Sequence, residues 1–339
     1  MRRFRIAVLS RRVLILAPAG AALLGTVLMA ATARQQSKVP DFDADGKPDI
    51  ALWRPPQAAG QSGTFYAITA KDNFSLSAIQ SVKIGTTGDL PISGDFDGDG
   101  KADFGVYTPT GTHAWTIRLS SQNWTAVNTY QWGTDGDLVQ LGDYDGDGKT
   151  DIGVFRPVEG RWYVLLSKTG FQSGASAPWG STGSTPVTGD FDGDGRMDMV
   201  AIEPYELNGL NTWYVLKGGT DFRTAYSIDG FGAPGLTPVP ADYDGDGRVD
   251  AAYFDKTTAT FTVRTAKDAT GTSGTKQWGV AGDIPVPADY DGDGVADLAV
   301  FRPTTATYYV LLANTSFTSS LIRAFGLPAA TGDMPVIGK

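Results

Sequence analysis

The sequence predicts an all-β fold: a propeller of six four-stranded blades, with the ring closed by its C-terminal strand. Three observations point there. The string D-x-D-x-D-G-x-x-D recurs from Asp41, Asp95, Asp143, Asp190, Asp242 and Asp289, at gaps of 47 to 54 residues. Short alternating segments rich in β-branched and aromatic residues follow every copy, and none has helical periodicity. After the sixth unit comes GDMPVIGK, the opening strand of a further unit, where a solenoid would need a polar capping repeat.

The N-terminal segment is of another kind. MRRFRIAVLSRR carries five arginines and no acid, and the apolar run VLILAPAGAALLGTVLMAATA ends in Ala31-Thr32-Ala33. A basic start, an apolar middle and an A-x-A end describe a secretory signal over residues 1–33. The alternative is an uncleaved anchor, since the 21 apolar residues are long enough to span a bilayer. Either way the expected location is secreted, periplasmic or cell-surface, with membrane contact only through this segment. Zero cysteines exclude disulfides and a thiol-anchored lipid. Loss of residues 1–33 would take the formal charge from −9 to −14, which argues against a nucleic-acid partner.

After a linker at 34–40, the repeats run from 41 to 339 as one domain. Each unit has a short opening strand (DLPISGD, TPVTGD, DIPVPAD), then the Asp loop, then an alternating strand such as DIGVFRP. An aromatic strand such as RWYVLLS comes next, and a variable strand ends in Ile84-Gly85, Trp132-Gly133, Trp179-Gly180, Phe231-Gly232, Trp278-Gly279 or Phe325-Gly326. Four strands at a period near 50 read as a propeller blade. The expected closing segment is 333–338, with Gln36–Pro40 as a rival for the same strand position.

Six loops hold 24 of the 37 acidic residues. Four carboxylates within nine residues repel one another unless a cation sits among them. Oxygen donors in that number suit Ca²⁺ better than Mg²⁺, so about six structural calcium ions are expected. The expected ligands are, unit by unit, Asp41, Asp43, Asp45, the Lys47 carbonyl and Asp49; Asp95, Asp97, Asp99, Lys101 and Asp103; and Asp143, Asp145, Asp147, Lys149 and Asp151. The later units supply Asp190, Asp192, Asp194, Arg196 and Asp198; Asp242, Asp244, Asp246, Arg248 and Asp250; and Asp289, Asp291, Asp293, Val295 and Asp297. An EF-hand would place a bidentate Glu at position twelve and a helix after it. Here position twelve of the third loop is Val154, and a strand follows. The ninth-position Asp therefore has to close the cage from that strand. Six such ions would bring −14 to about −2.

These residues resemble the FG-GAP and VCBS repeats of integrin-like β-propellers, of the type found in secreted bacterial proteins. That family's unit runs Phe-Gly, the D-x-[DN]-x-D-G-x-x-D loop, and a strand ending in Gly-Ala-Pro. Trp132-Gly133 matches the first element, Asp143 to Asp151 the second, and Val154-Phe155-Arg156-Pro157 stands at the third. The resemblance covers about residues 41–338 and implies the propeller and its calcium loops. Arg-Pro replaces Ala-Pro in three units, and Glu203-Pro204 and Asp255-Lys256 replace it in two others. Integrin headpieces have seven blades, whereas six units are counted here.

Alternation of turns places the Asp loops on one face and the Arg-Pro turns on the other. Arg54, Arg156, Arg302 and Glu203 on that second face are candidate ligand contacts, and Trp124 is a candidate for stacking on a sugar. Against each stands a structural reading: Arg-Pro as a turn element, and Trp53, Trp115, Trp162 and Trp213 as core. A lone His113 and no Cys leave the usual nucleophile–base pairs largely unavailable. The expected role is therefore binding or adhesion, toward a glycan or an extracellular protein, and not catalysis. A structural part in a surface layer is the alternative, and a glycan-active enzyme using Glu203 and Glu206 is the remote one.

Overall fold

A computed structural model describes residues 40–204, 209–266, 273–327 and 332–336. The expected signal or anchor at 1–33, the linker up to 39, Glu206 and residues 337–339 lie outside these. No helix among the described residues is long and apolar enough to cross a membrane.

The described chain forms six four-stranded antiparallel sheets, the blades of a propeller. Blade 2 shows the order from inside to outside: Leu90–Gly94, Asp103–Tyr107, Ala114–Arg118 and Val127–Gln131. Strand two is buried along its whole length in this blade, since it faces its neighbours on both sides. The outer strand alternates between exposed and half-buried, as an edge strand does. Trp53, Trp115, Trp162 and Trp213 are fully buried, as the core reading required.

The ring closes as expected, with one refinement. Met334–Pro335 forms the innermost strand of blade 1, pairing Trp53 with Met334 and Leu52 with Pro335. Val336 then donates its N–H to the Ala51 carbonyl at 2.9 Å. Further along, the Asp49 N–H donates to the Pro40 carbonyl at 2.7 Å, as Asp151 does to Gly142. Pro40, the one described residue of the rival segment, thus contributes a hydrogen bond beside the closing strand, and the rest of that segment lies outside the described residues.

In blades 2 to 6, loop position two tracks how long the inner strand runs. With Phe96 or Phe191 there, it is continuous over five residues, Leu90–Gly94 or Thr185–Gly189. With Tyr144, Tyr243 or Tyr290, it shrinks to two residues plus an isolated bridge. In those three blades the phenol donates to the carbonyl of Gln140, Val239 or Val286 at 2.8–3.0 Å. A side-chain hydroxyl therefore occupies a carbonyl inside the strand that is interrupted.

Candidate functional site

Each Asp loop is organised by its own carboxylates before any ion is considered. In the third loop, Asp143 accepts N–H bonds from Gly146 at 2.6 Å and Gly148 at 2.8 Å. Asp147 accepts the Lys149 N–H at 2.9 Å. The ninth residue, Asp151, bonds in two directions. Its Oδ2 accepts the Tyr144 N–H at 2.9 Å, and its Oδ1 accepts the Ser167 N–H at 2.7 Å. The carboxylate thereby ties the Asp loop to the connection between strands three and four. Asp49, Asp103, Asp198, Asp250 and Asp297 repeat the arrangement with their own loop and connection amides.

Burial without a cationic partner has an electrostatic consequence. It pushes the Asp49 carboxyl up to about 8, those of Asp103, Asp198, Asp250 and Asp297 to about 7, and that of Asp151 to about 6. The amide bonds oppose the rise without cancelling it, and neighbouring loop carboxylates add to it. Such a site is short of positive charge.

The donor sets fit a hard cation. Oxygens of Asp41, Asp43 and Asp49 all lie within 4.8 Å of one another, as do those of Asp143, Asp145 and Asp151. The same holds for Asp95, Asp97 and Asp99, for Asp190, Asp192 and Asp194, and for Asp242, Asp244 and Asp246. Both carboxylate oxygens of Asp145 and one of Asp291 are buried with no hydrogen-bond partner. Such groups are costly to leave unpaired. Lysine amines draw toward two third-position carboxylates, Lys168 to Asp145 at 3.5 Å and Lys217 to Asp192 at 3.1 Å.

Adjacent loops interlock around the ring. The carbonyl of each first Asp accepts the N–H of residue eight in the next loop, as in Thr150 to Asp95 at 2.7 Å and Ala296 to Asp242 at 2.7 Å. The link from the sixth loop to the first cannot form this way, because Pro48 has no N–H. Gly98 at position four has φ of +81°, and a Cβ there would lie 2.9 Å from Lys149 Cε, a side chain of the next loop. Gly146 meets Arg196 similarly, so this glycine makes room for the neighbouring blade.

Three tryptophans bolt blades together on the outside. Trp132, Trp179 and Trp278, from the Trp-Gly pairs, donate their indole N–H to the carbonyls of Tyr163, Tyr214 and Tyr309 in the following blade, at 2.9–3.3 Å. A second series escaped sequence reasoning. Phe74, Trp124, Phe171, Phe222 and Phe317 all sit at positive φ after a short turn that follows strand three. Phe171 packs on Tyr130 of the preceding blade at 4.5 Å, and Phe222 on Tyr144 at 6.5 Å. Trp124 is a member of this series, packed on Phe104 at 5.5 Å. The signal in the sequence was a small or polar residue followed by an aromatic, as in Asn73-Phe74 and Ser316-Phe317.

The second-face candidates are engaged within the fold. Arg54, Arg156 and Arg302 each form a bidentate pair, with Asp333, Asp137 and Asp283 respectively, at 2.7–3.0 Å. Each guanidinium also lies 4.3–4.9 Å from a tyrosine ring centroid: Tyr66, Tyr163 or Tyr309. Blade 4 reverses the chemistry, with the Ser184 hydroxyl donating to Glu203 at 2.8 Å. Arg302 also lines a cleft of about 300 Å³ with Trp278 and Tyr309. His113 stands 3.4 Å from Asp135.

Several solved structures share the propeller architecture at low sequence identity. The Agrocybe aegerita lectin that recognises non-reducing terminal N-acetylglucosamine is 15% identical over 86% of each chain, with a TM-score of 0.51. A putative 6-phosphogluconolactonase from Bacteroides fragilis is 11% identical over 87% of this chain and 97% of that one, with a TM-score of 0.42. The periplasmic gluconolactonase of Pseudomonas aeruginosa is 11% identical over 86% and 99%, with a TM-score of 0.44. These are likenesses of fold. No curated protein sequence matches. The sequence profile of the FG-GAP-like repeat matches residues 41–106, 143–201 and 190–253, more than half of the chain. The chain therefore belongs to the FG-GAP-like repeat family.

Proposed function

We propose that this protein is an exported calcium-binding propeller that acts as a recognition module for glycans or extracellular proteins, with its ions structural. The observation behind the calcium reading is the repeated cage, above all the buried oxygens of Asp145, which among the described residues accept no hydrogen bond and meet only the exposed Lys168 amine at 3.5 Å. In each unit the first, third, fifth and ninth Asp and the position-seven carbonyl would hold the ion. Bound calcium would supply the positive charge that the buried carboxylates lack. Because the ninth Asp already joins two connections of its blade, and neighbouring loops interlock, an ion there stiffens a joint. Repetition in every blade and a saturated donor set leave no open coordination position for a substrate.

Recognition is the reading left for the rest of the surface. With Arg54, Arg156 and Arg302 holding aspartates, ligand contact falls to the clefts between blades. A lectin on the same fold makes glycan binding compatible with the scaffold, although function follows the site and not the fold. The second reading, a component of a surface assembly, draws on the exposed aliphatic residues Leu90, Leu138, Val280 and Leu327 near the inter-blade connections. A glycan array and a pull-down with the calcium-loaded protein separate the two. Specific glycan hits support recognition; no hits, with protein partners retained, support assembly. Turnover of a glycan, lost in a Glu203→Gln/Glu206→Gln double variant, would overturn both in favour of an enzyme.

A further inference from the structure

The joint between blades 4 and 5 is built differently from the others. At the outer position held by Trp132, Trp179 and Trp278 stands Phe231, which has no N–H to donate. At the plug position of Phe74, Trp124, Phe171, Phe222 and Phe317, blade 5 has Thr270 in sequence. The joints of blade 1 with its two neighbours also lack the indole, with Ile84 and Phe325 in its place, but they keep an aromatic plug, Trp124 or Phe74. Among the described residues the joint between blades 4 and 5 has neither an indole bond nor an aromatic plug, and a cleft of about 860 Å³ lies there.

Its walls combine charge with an aromatic face. Arg264 spans the joint, stacked 4.6 Å from the Phe231 centroid and donating to the carbonyls of Asp229 and Gly230 at 2.8 and 3.3 Å. Its Nε is buried with no partner. Arg248 is exposed on the same wall and forms no ion pair among the described residues. Tyr226 is anchored through its hydroxyl to the Phe191 carbonyl at 3.2 Å, and 36% of its surface is exposed. Lys217 Nζ lies 5.5 Å from that ring's centroid. Asp192 and Asp229 also line the cleft, and Asp192 is paired with Lys217 at 3.1 Å, which leaves Arg248 as the exposed cation without an ion pair among the described residues.

We propose that this cleft binds an acidic oligosaccharide, one built from uronic-acid units. This rests on the recognition reading above and names its site and ligand class. Arg248 meets a sugar carboxylate, and the Arg264 guanidinium in the wall behind adds positive charge. The Tyr226 ring offers a flat face to the C–H side of a pyranose, and Asp229 addresses sugar OH groups. A volume near 860 Å³ accommodates a short oligosaccharide, within the usual range for ligand sites. An acidic peptide fits less well, because its side chains bring no pyranose C–H face to lay on the Tyr226 ring.

The test titrates the full-length, calcium-loaded protein with trigalacturonate, its methyl ester and a triglutamate peptide. Two variants accompany it. Arg248→Ala removes the exposed guanidinium, and Tyr226→Ala removes the aromatic face that lines the cleft. The expected result is saturable binding of trigalacturonate, at least about tenfold tighter than the methyl ester, and weakened at least about tenfold by either variant. Melting temperatures of the variants show whether the fold is intact. A variant that fails to fold is replaced by Arg248→Gln, for which the same loss is expected. Equal affinity for acid and ester, or binding unchanged in both variants, overturns the proposal. Tighter binding of triglutamate reassigns the cleft to peptides and overturns it as well. Glycan binding that survives both variants removes the cleft assignment but leaves the recognition reading; no glycan binding at all removes both.

Discussion

Arg54 grips both carboxylate oxygens of Asp333, 279 residues away in sequence, at 2.7 and 2.8 Å. The Asp333 side chain is 2% exposed and that of Arg54 19%, so the pair sits at the seam where the ring closes. Arg156–Asp137 and Arg302–Asp283 make the same contact within single units, across only 19 residues. At the seam this contact joins the two ends of the domain.

Asp333→Ala should destabilise the protein by about 1–3 kcal/mol, because it leaves a half-buried guanidinium without its partner. Deleting residues 332–339 also removes the strand bonds of Met334–Pro335 and should lower Tm far more. Thermal melts check both. A deletion variant melting with the parent would mean that the seam adds nothing to stability.

Asp145 and Asp151 belong to one loop but should fail in different ways. Asp151 bonds two backbone amides without any ion. Asp151→Ala should therefore lower Tm in both calcium and chelator. Among the described residues Asp145 accepts no hydrogen bond and pairs only with the exposed Lys168 at 3.5 Å, a contact of little worth, so Asp145→Asn should lower Tm chiefly in calcium. A site at ten times Kd contributes about 1.4 kcal/mol, which sets the size of the Asp145→Asn loss. Equal loss under both conditions would argue against an ion at Asp145.

Chelation gives the broader test of the metal reading. Stripping about six such ions would remove several kcal/mol, comparable to the usual stability of a domain. The parent's Tm should fall by more than about ten degrees in excess chelator. No change on chelation would rule out structural calcium.

The direction of the pH dependence should reverse with calcium. The ninth-position carboxyls are raised by burial to between about 6 and about 8, above the unfolded value of about 3.9. Each therefore stabilises the ion-free fold fully below about pH 4 and loses that contribution as pH rises through about 6 to 8. In chelator, Tm should fall between pH 5 and pH 8. In saturating calcium it should rise over the same window, since calcium needs the carboxylates ionised and competes with protons. Parallel melts at four pH values, with and without calcium, give both slopes.

Trp132→Phe removes one indole bond to Tyr163. The expected loss is about 1 kcal/mol, or roughly 2–4 °C for a chain of this size. The same change at Trp179 and Trp278 should cost about as much, and the three should add because each serves a separate joint.

Much of this protein was legible in the order of its residues. The Asp loops act within nine positions, and the alternation of each strand within five. The number of blades, the placement of loops and turns on opposite faces, and the closing strand therefore followed from local patterns repeated six times. Contacts between non-local partners were decided only by the tertiary structure. Whether Arg54, Arg156 and Arg302 reach for a ligand or for an aspartate depends on how the incoming connection lies beside the end of strand two. Whether Trp124 is a lone surface ring or a plug depends on the preceding blade. The cleft between blades 4 and 5 needed both kinds of information. Phe231 departs from the Trp-Gly pattern in sequence, but its ring meets the Arg264 guanidinium, 33 residues on, only once the two blades pack. Local spacing set the parts, and the packing of each blade against the next assigned their work.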